Sequence, residues 1–155
     1  MPKKNVDVLL IALSSPILVG IYEDDKLIKS IKSEEKSSDI LATIYKDIFD
    51  NYEVKGLFFT NGPGSFMAIK VAYIFLKSIS ILKDIELFAT DAFKFNENTP
   101  IKAIAKLYFV KINQEIKTQK FDSVQTMEFK LPELLNRDEF TTDTVPLYNI
   151  GAVSQ

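Results

Sequence analysis

Apolar residues fall along the front two thirds of this chain in blocks of two kinds. Short, mostly apolar blocks occupy residues 6–13, 17–22, 54–60 and 85–89, each closed by polar residues, Gly or Pro. Val8-Leu9-Leu10-Ile11 has no polar position on either side of the pleat, so it predicts a strand buried on both faces. Residues 26–33 alternate instead, with Leu27 and Ile31 set among lysines, as in a strand with one wet face. Ser14-Ser15-Pro16 and Glu23-Asp24-Asp25 are turn sequences, so the first three strands read as an antiparallel meander.

The longer blocks repeat at helical spacing. In residues 38–50, Ile40, Ile44 and Ile48 form one row and Leu41, Tyr45 and Phe49 the next, with Ser37 or Ser38 as N-cap and Asp39 in the first turn. In residues 65–82, laid out at about 100° per residue, Ala68, Ile69, Val71, Ala72, Phe75, Leu76, Ile79 and Leu82 make a broad core arc. Met67, Ile74 and Ile81 form a separate row at seven-residue spacing, bordered by Lys70 and Lys77. Both arcs are wider than one sheet covers. Either the helices pack on each other as well as on the sheet, or they present a seam to another subunit's helices. The candidate seam comprises Ile40, Leu41, Ile44, Tyr45 and Ile48 on the first helix, and Met67, Lys70, Tyr73, Ile74, Lys77 and Ile81 on the second.

Between the buried strand 54–60 and the second helix lies Gly62-Pro63-Gly64-Ser65-Phe66. The glycines permit positive φ and close approach, which we expect at Gly64, and Ser65 is placed to cap the helix. A helix N-terminus can hold phosphate, but no Walker lysine-hydroxyl pair and no Gly-x-Gly-x-x-Gly follows, which favours a tight packing turn. Beyond residue 90 the pattern weakens. A helical turn within 91–98 precedes the boundary signal Asn98-Thr99-Pro100; residues 101–112, 116–121 and 124–129 are strand candidates, and 131–136 a short helix. The chain divides into a first lobe, 1–98, and a shortened second lobe, 99–155. Three antiparallel strands followed by helix, strand, helix, strand is the order of a ribonuclease H-like lobe.

Composition narrows the chemistry. The 155 residues carry a formal net charge of −2, and Arg137 is the only arginine, so strong direct tRNA binding is not expected. With no Cys and no His, thiolate nucleophiles, Ser-His-Asp triads, His bases and Cys- or His-held metals are excluded. No stretch reaches the roughly 20 apolar residues of a membrane span. Met1-Pro2-Lys3-Lys4 leads straight into a strand without a signal region, so a cytoplasmic protein is expected. Asp7 and Asp91 are the carboxylates nearest a possible phosphate site; the plainer readings are a strand-end surface charge and a helix cap.

Gly62-Pro63-Gly64-Ser65-Phe66 after a buried strand and before a long apolar helix resembles the signature of the TsaB (YeaZ) family, bacterial proteins of tRNA threonylcarbamoyladenosine biosynthesis. The resemblance covers residues 6 to about 90 by element order. It implies an α/β, actin-like ATPase lobe and a reduced second lobe. It also implies a non-catalytic scaffold that pairs with a TsaD-like catalytic subunit through the helices 38–50 and 65–82, and is joined in the complex by a TsaE-like ATPase. Neither metal nor cofactor is implied for the chain alone, with ATP or ADP only at the complex boundary.

The departures all weaken a catalytic reading. Leu13-Ser14-Ser15 stands where the family has Asp-Thr-Ser, and Met67-Ala68-Ile69-Lys70 where it has Thr-Gly-x-Arg. Ser37-Ser38-Asp39 replaces a common His, and no aspartate-arginine pair occurs around Ala105-Lys106. Alternatives are a small actin-like ATPase or kinase-type enzyme, and a module that forms homodimers when alone.

Overall fold

The computed structural model describes residues 2–147. Five strands, β1 (Lys4–Ile11), β2 (Ile17–Glu23), β3 (Lys26–Ser33), β4 (Tyr52–Thr60) and β5 (Glu86–Thr90), form one sheet in the order β3-β2-β1-β4-β5. β1, β2 and β3 pair antiparallel, as the meander predicts; β4 and β5 continue the sheet parallel to β1. The β2–β3 turn has only Asp24 and Asp25 between the strands, both at positive φ (50° and 67°), the backbone of a type I′ hairpin. In β4, one extra residue between the partners of Val6 and Asp7 shifts the register. This bulge lets Val54 and Leu57 face the same side despite their odd spacing.

Helices α1 (Ser37–Asn51) and α2 (Phe66–Lys83) cover one face of this sheet. There Val6, Val8, Leu10 and Ala12 of the first strand segment meet Leu41, Ile44, Tyr45, Ile48, Ala72 and Leu76. The period-two alternation sends Leu9, Ile11 and Leu13 to the opposite face, into a second core with Phe58, Ala92, Phe93, Leu135 and Phe140. That division explains the unbroken apolar run of β1.

The chain after β5 supplies this second cover. A 3-10 turn at Ala92–Phe95 is capped by Asp91, and strands β6 (Ile101–Ile104), β7 (Leu107–Ile112) and β8 (Glu115–Lys120) form a separate antiparallel sheet. Residues 131–141 then cross the first sheet as a strap. Leu27 N–H donates to the Glu133 carbonyl (2.9 Å) and Leu135 N–H to that of Asp25 (2.8 Å), tying the strap to the β2–β3 hairpin. At the other edge Ala89 and Thr141 exchange both backbone bonds (2.8 and 2.9 Å).

Several sequence expectations are corrected here. Residues 124–129 form no strand; Met127 and Lys130 donate instead to Thr99 Oγ1 and the Phe95 carbonyl, single bonds to a loop in place of a ladder. Residues 131–136 form no helix, because Pro132 disfavours helical backbone before it and the hairpin claims the backbone groups after it. Neither Ser37 nor Ser38 caps α1: the N-cap is Lys36, with no side-chain bond. Leu82 is 83% exposed, since it lies about 120° round the cylinder from the fully buried Leu76. The end of the expected second lobe, residues 148–155, lies outside the described residues.

Candidate functional site

Two features the sequence marks out, the glycine turn and α2, lie end to end. β4 delivers the chain to Asn61, whose N–H donates to the Thr90 carbonyl (3.1 Å) and whose side-chain amide donates to that of Val145 (3.0 Å). The positive φ falls at Gly62 (122°), not at Gly64. Gly64 is required for a different reason. A Cβ there would lie 2.9 Å from Leu13 Cβ and 3.3 Å from the Leu13 carbonyl oxygen. Ser65 N–H donates to that same carbonyl (3.0 Å), and Ser65 Oγ accepts from Ala68 N–H (3.4 Å), so Ser65 is the N-cap. Pro63 is buried between the glycines. The turn is a joint that seats α2 against the end of the first strand segment.

A cleft of about 580 Å³ opens beside this joint, lined among others by Ser14, Ser65, Lys32, Lys102, Tyr108 and Glu128. Among the described residues no group of three or more acidic side chains could hold a metal ion. The two carboxylates considered for chemistry are both engaged elsewhere. Asp91 Oδ1 accepts from Phe93 N–H (2.9 Å), the cap expected of it, and Oδ2 from Lys111 Nζ (2.6 Å).

Asp7 corrects the reading of a surface charge. Its side chain is buried, it pairs with the Arg137 guanidinium, and it lines a separate depression with Lys55 and Glu86. Burial pushes the Asp7 carboxyl up from its ordinary value, an effect Arg137 only partly opposes. Burial would lower Arg137, but its bond to Asp25 (2.7 Å, Nε to Oδ1) and the charge of Asp7 hold it above the usual arginine value. Sequence reading missed this clamp; the one available signal was that a chain with a single arginine places it in a segment without periodicity.

The proposed seam divides between the two helices. On α2, Met67, Ile74 and Ile81 are 62%, 53% and 70% exposed, and Lys70 and Lys77 are exposed beside them. Tyr73 is half-buried and stacks on Phe59 (centroids 6.2 Å apart). On α1 the expectation fails. Leu41, Ile44, Tyr45 and Ile48 are buried in the chain's own core and Ile40 is half-buried; Tyr45 meets Phe75 of α2 edge-on at 5.3 Å. Outward, α1 presents Ala42, Thr43, Lys46, Asp47 and Asp50. Of the two helices, only α2 therefore presents an exposed apolar row.

The fold is similar to that of solved structures. YeaZ from Pseudomonas aeruginosa superposes with a TM-score of 0.55 at 12% identity, over 79% of this chain and 67% of that one. The fold is that of YeaZ. An uncharacterized protein with similarity to peptidase YeaZ, also from Pseudomonas aeruginosa, matches at 0.55 and 12%, over 78% of this chain and 66% of its own. The chain thus spans about two thirds of the length of the YeaZ structures it matches. No protein-family model matches the sequence, and no curated protein matches it. The YeaZ fold accounts for the mixed α/β sheet under two helices; at this identity it speaks for fold alone.

Proposed function

We propose that this chain is a non-catalytic subunit that docks through α2 onto a TsaD-like catalytic subunit, supporting threonylcarbamoyl transfer to a tRNA adenosine. One observation carries the reading: the Met67, Ile74 and Ile81 row stands exposed on the second helix of a YeaZ-fold lobe, the helix for which the sequence resemblance implies pairing. A TsaE-like ATPase would join through the complex, with ATP or ADP at the subunit boundary and tRNA held by the partner. A cytoplasmic location accords with this role; among the described residues no helix is long and apolar enough to cross a membrane.

The chemistry of the carboxylates supports a non-catalytic role. Asp7 lies in a different depression from Ser65 and is taken up by Arg137, while Asp91 is spent on a cap and on Lys111. An ATPase or kinase needs carboxylates that hold metal and phosphate beside its phosphate-binding turn, and Glu128 lines the cleft with Ser65 without a second acidic side chain.

The test is to mix the tagged chain with the TsaD-like subunit of the same cell and size the product by light scattering. A one-to-one complex is expected, and Ile74→Glu should abolish it, since a charge buried without a partner at an interface costs several kcal/mol. Wild-type affinity in that variant would place the contact elsewhere. Micromolar ATP binding with turnover by the isolated chain would favour the enzyme alternative.

A further inference from the structure

The charge on α2 is one-sided. Its 18 residues include Lys70, Lys77 and Lys83 and no acidic residue, in a chain whose net charge is −2. Lys83 is engaged, with its Nζ 4.6 Å from the centre of the Phe49 ring. Lys70 and Lys77 are exposed, and neither makes an ion pair with a described residue. At about 100° per residue, Met67, Ile74 and Ile81 drift by only about 20° per heptad, and the two lysines fall about 40–60° to one side of that row. On the other side lie Val71, Ser78 and Leu82, none of them charged. The exposed face is thus an apolar row with a cationic border on one flank and a neutral border on the other.

Resting on the docking reading above, we propose that α2 selects a partner helix bearing carboxylates along one flank of an apolar row, in register with Lys70 and Lys77. Apolar contact alone would leave two ammonium groups at the rim with no counter-charge. Two Asp or Glu side chains spaced like the lysines would supply it and would fix which way round the partner helix lies. A second copy of this chain fits worse. In a two-fold antiparallel pairing of α2 with itself, the cationic flanks fall on the same side and repel. In either direction α2 brings no acidic residue to meet them.

The test measures pairing with the TsaD-like subunit for the wild type, for Lys70→Glu/Lys77→Glu and for Lys70→Met/Lys77→Met, at low salt and at about 0.5 M salt. The double reversal should weaken pairing about a hundredfold at low salt and much less at high salt. The methionine pair should weaken it about tenfold and flatten the salt dependence; a purely apolar contact would instead be tightened. Unchanged denaturation midpoints would show that the variants stay folded. If the wild type pairs and both variants pair as well, the charge rule is overturned while the docking reading stands. If the wild type does not pair, the docking reading fails and takes this inference with it. A tight homodimer of the isolated chain that Ile74→Glu disrupts would make a second copy the occupant, which also overturns the proposal.

Discussion

Arg137 joins three parts of the molecule that lie far apart in the chain. It binds Asp7 of β1 and Asp25 of the β2–β3 hairpin, and its guanidinium lies over the Phe58 ring of β4 (5.6 Å). The two partners of its buried bond are not equivalent. Arg137→Leu strands a carboxylate that is almost wholly enclosed, whereas Asp7→Asn leaves a half-exposed guanidinium still held by Asp25. Urea denaturation at neutral pH should therefore show Arg137→Leu losing about 3 kcal/mol and Asp7→Asn clearly less. The sign of the pH dependence follows from the raised Asp7 carboxyl. Its stabilising contribution is complete below the ordinary value of 3.8 and is lost as pH rises through the higher folded value. The Arg137→Leu deficit should accordingly shrink as pH falls through that window. A deficit that does not change with pH would mean Asp7 is not the group left stranded. The glycines part company in the same manner: Gly64→Val should cost about 1–3 kcal/mol through its clash with Leu13, and Gly62→Ala should be penalised by its positive φ instead.

Among the elements, α1 and α2 show what periodicity can and cannot tell. Both helices present apolar arcs wider than a single sheet needs, and apart from Leu82 the periodicity places each arc where the structure has it. It says nothing about how many neighbours each arc meets. On α1 the second row is satisfied internally, Leu41 in the core against the sheet and Tyr45 by Phe75 of α2. On α2 the core arc is similarly filled, and the row beyond it is left over. Ile44→Asp should therefore unfold or severely destabilise the protein, by about 3 kcal/mol or more. Ile74→Glu, on the exposed row, should shift the denaturation midpoint hardly at all. Equal effects on stability would contradict the division between the two helices. The strands were legible for a complementary reason: alternation or its absence reports directly on how many faces of a strand are covered. The glycine turn was legible because Gly-Pro-Gly-Ser after a buried strand leaves few conformations, though the motif does not tell which glycine carries the positive φ.

At the scale of the molecule, the least legible part is the one that completes the core. Residues 131–141 have neither a strand's alternation nor a helix's spacing, because each apolar side chain there fills one gap in a face built by other segments. Leu135 and Phe140 are buried against that face, Phe140 edge-on to Phe58 at 5.0 Å. Phe140→Ala should cost about 3 kcal/mol in chemical denaturation; a loss below about 1 kcal/mol would mean the strap merely rests on the sheet.

The strap also dictates an order of events on the ribosome. β1 to β5 and both helices can assemble once the first ninety or so residues have emerged, but one side of their sheet is only partly covered, by Ala92, Phe93, Phe95 and Ile101, until Leu135 and Phe140 follow. At about 5–20 residues per second, a nascent chain spends a few seconds with Leu9, Ile11 and Phe58 open to any passing hydrophobic surface. Chaperones that recognise such stretches have that interval in which to act, and it closes when the guanidinium of Arg137 reaches Asp7.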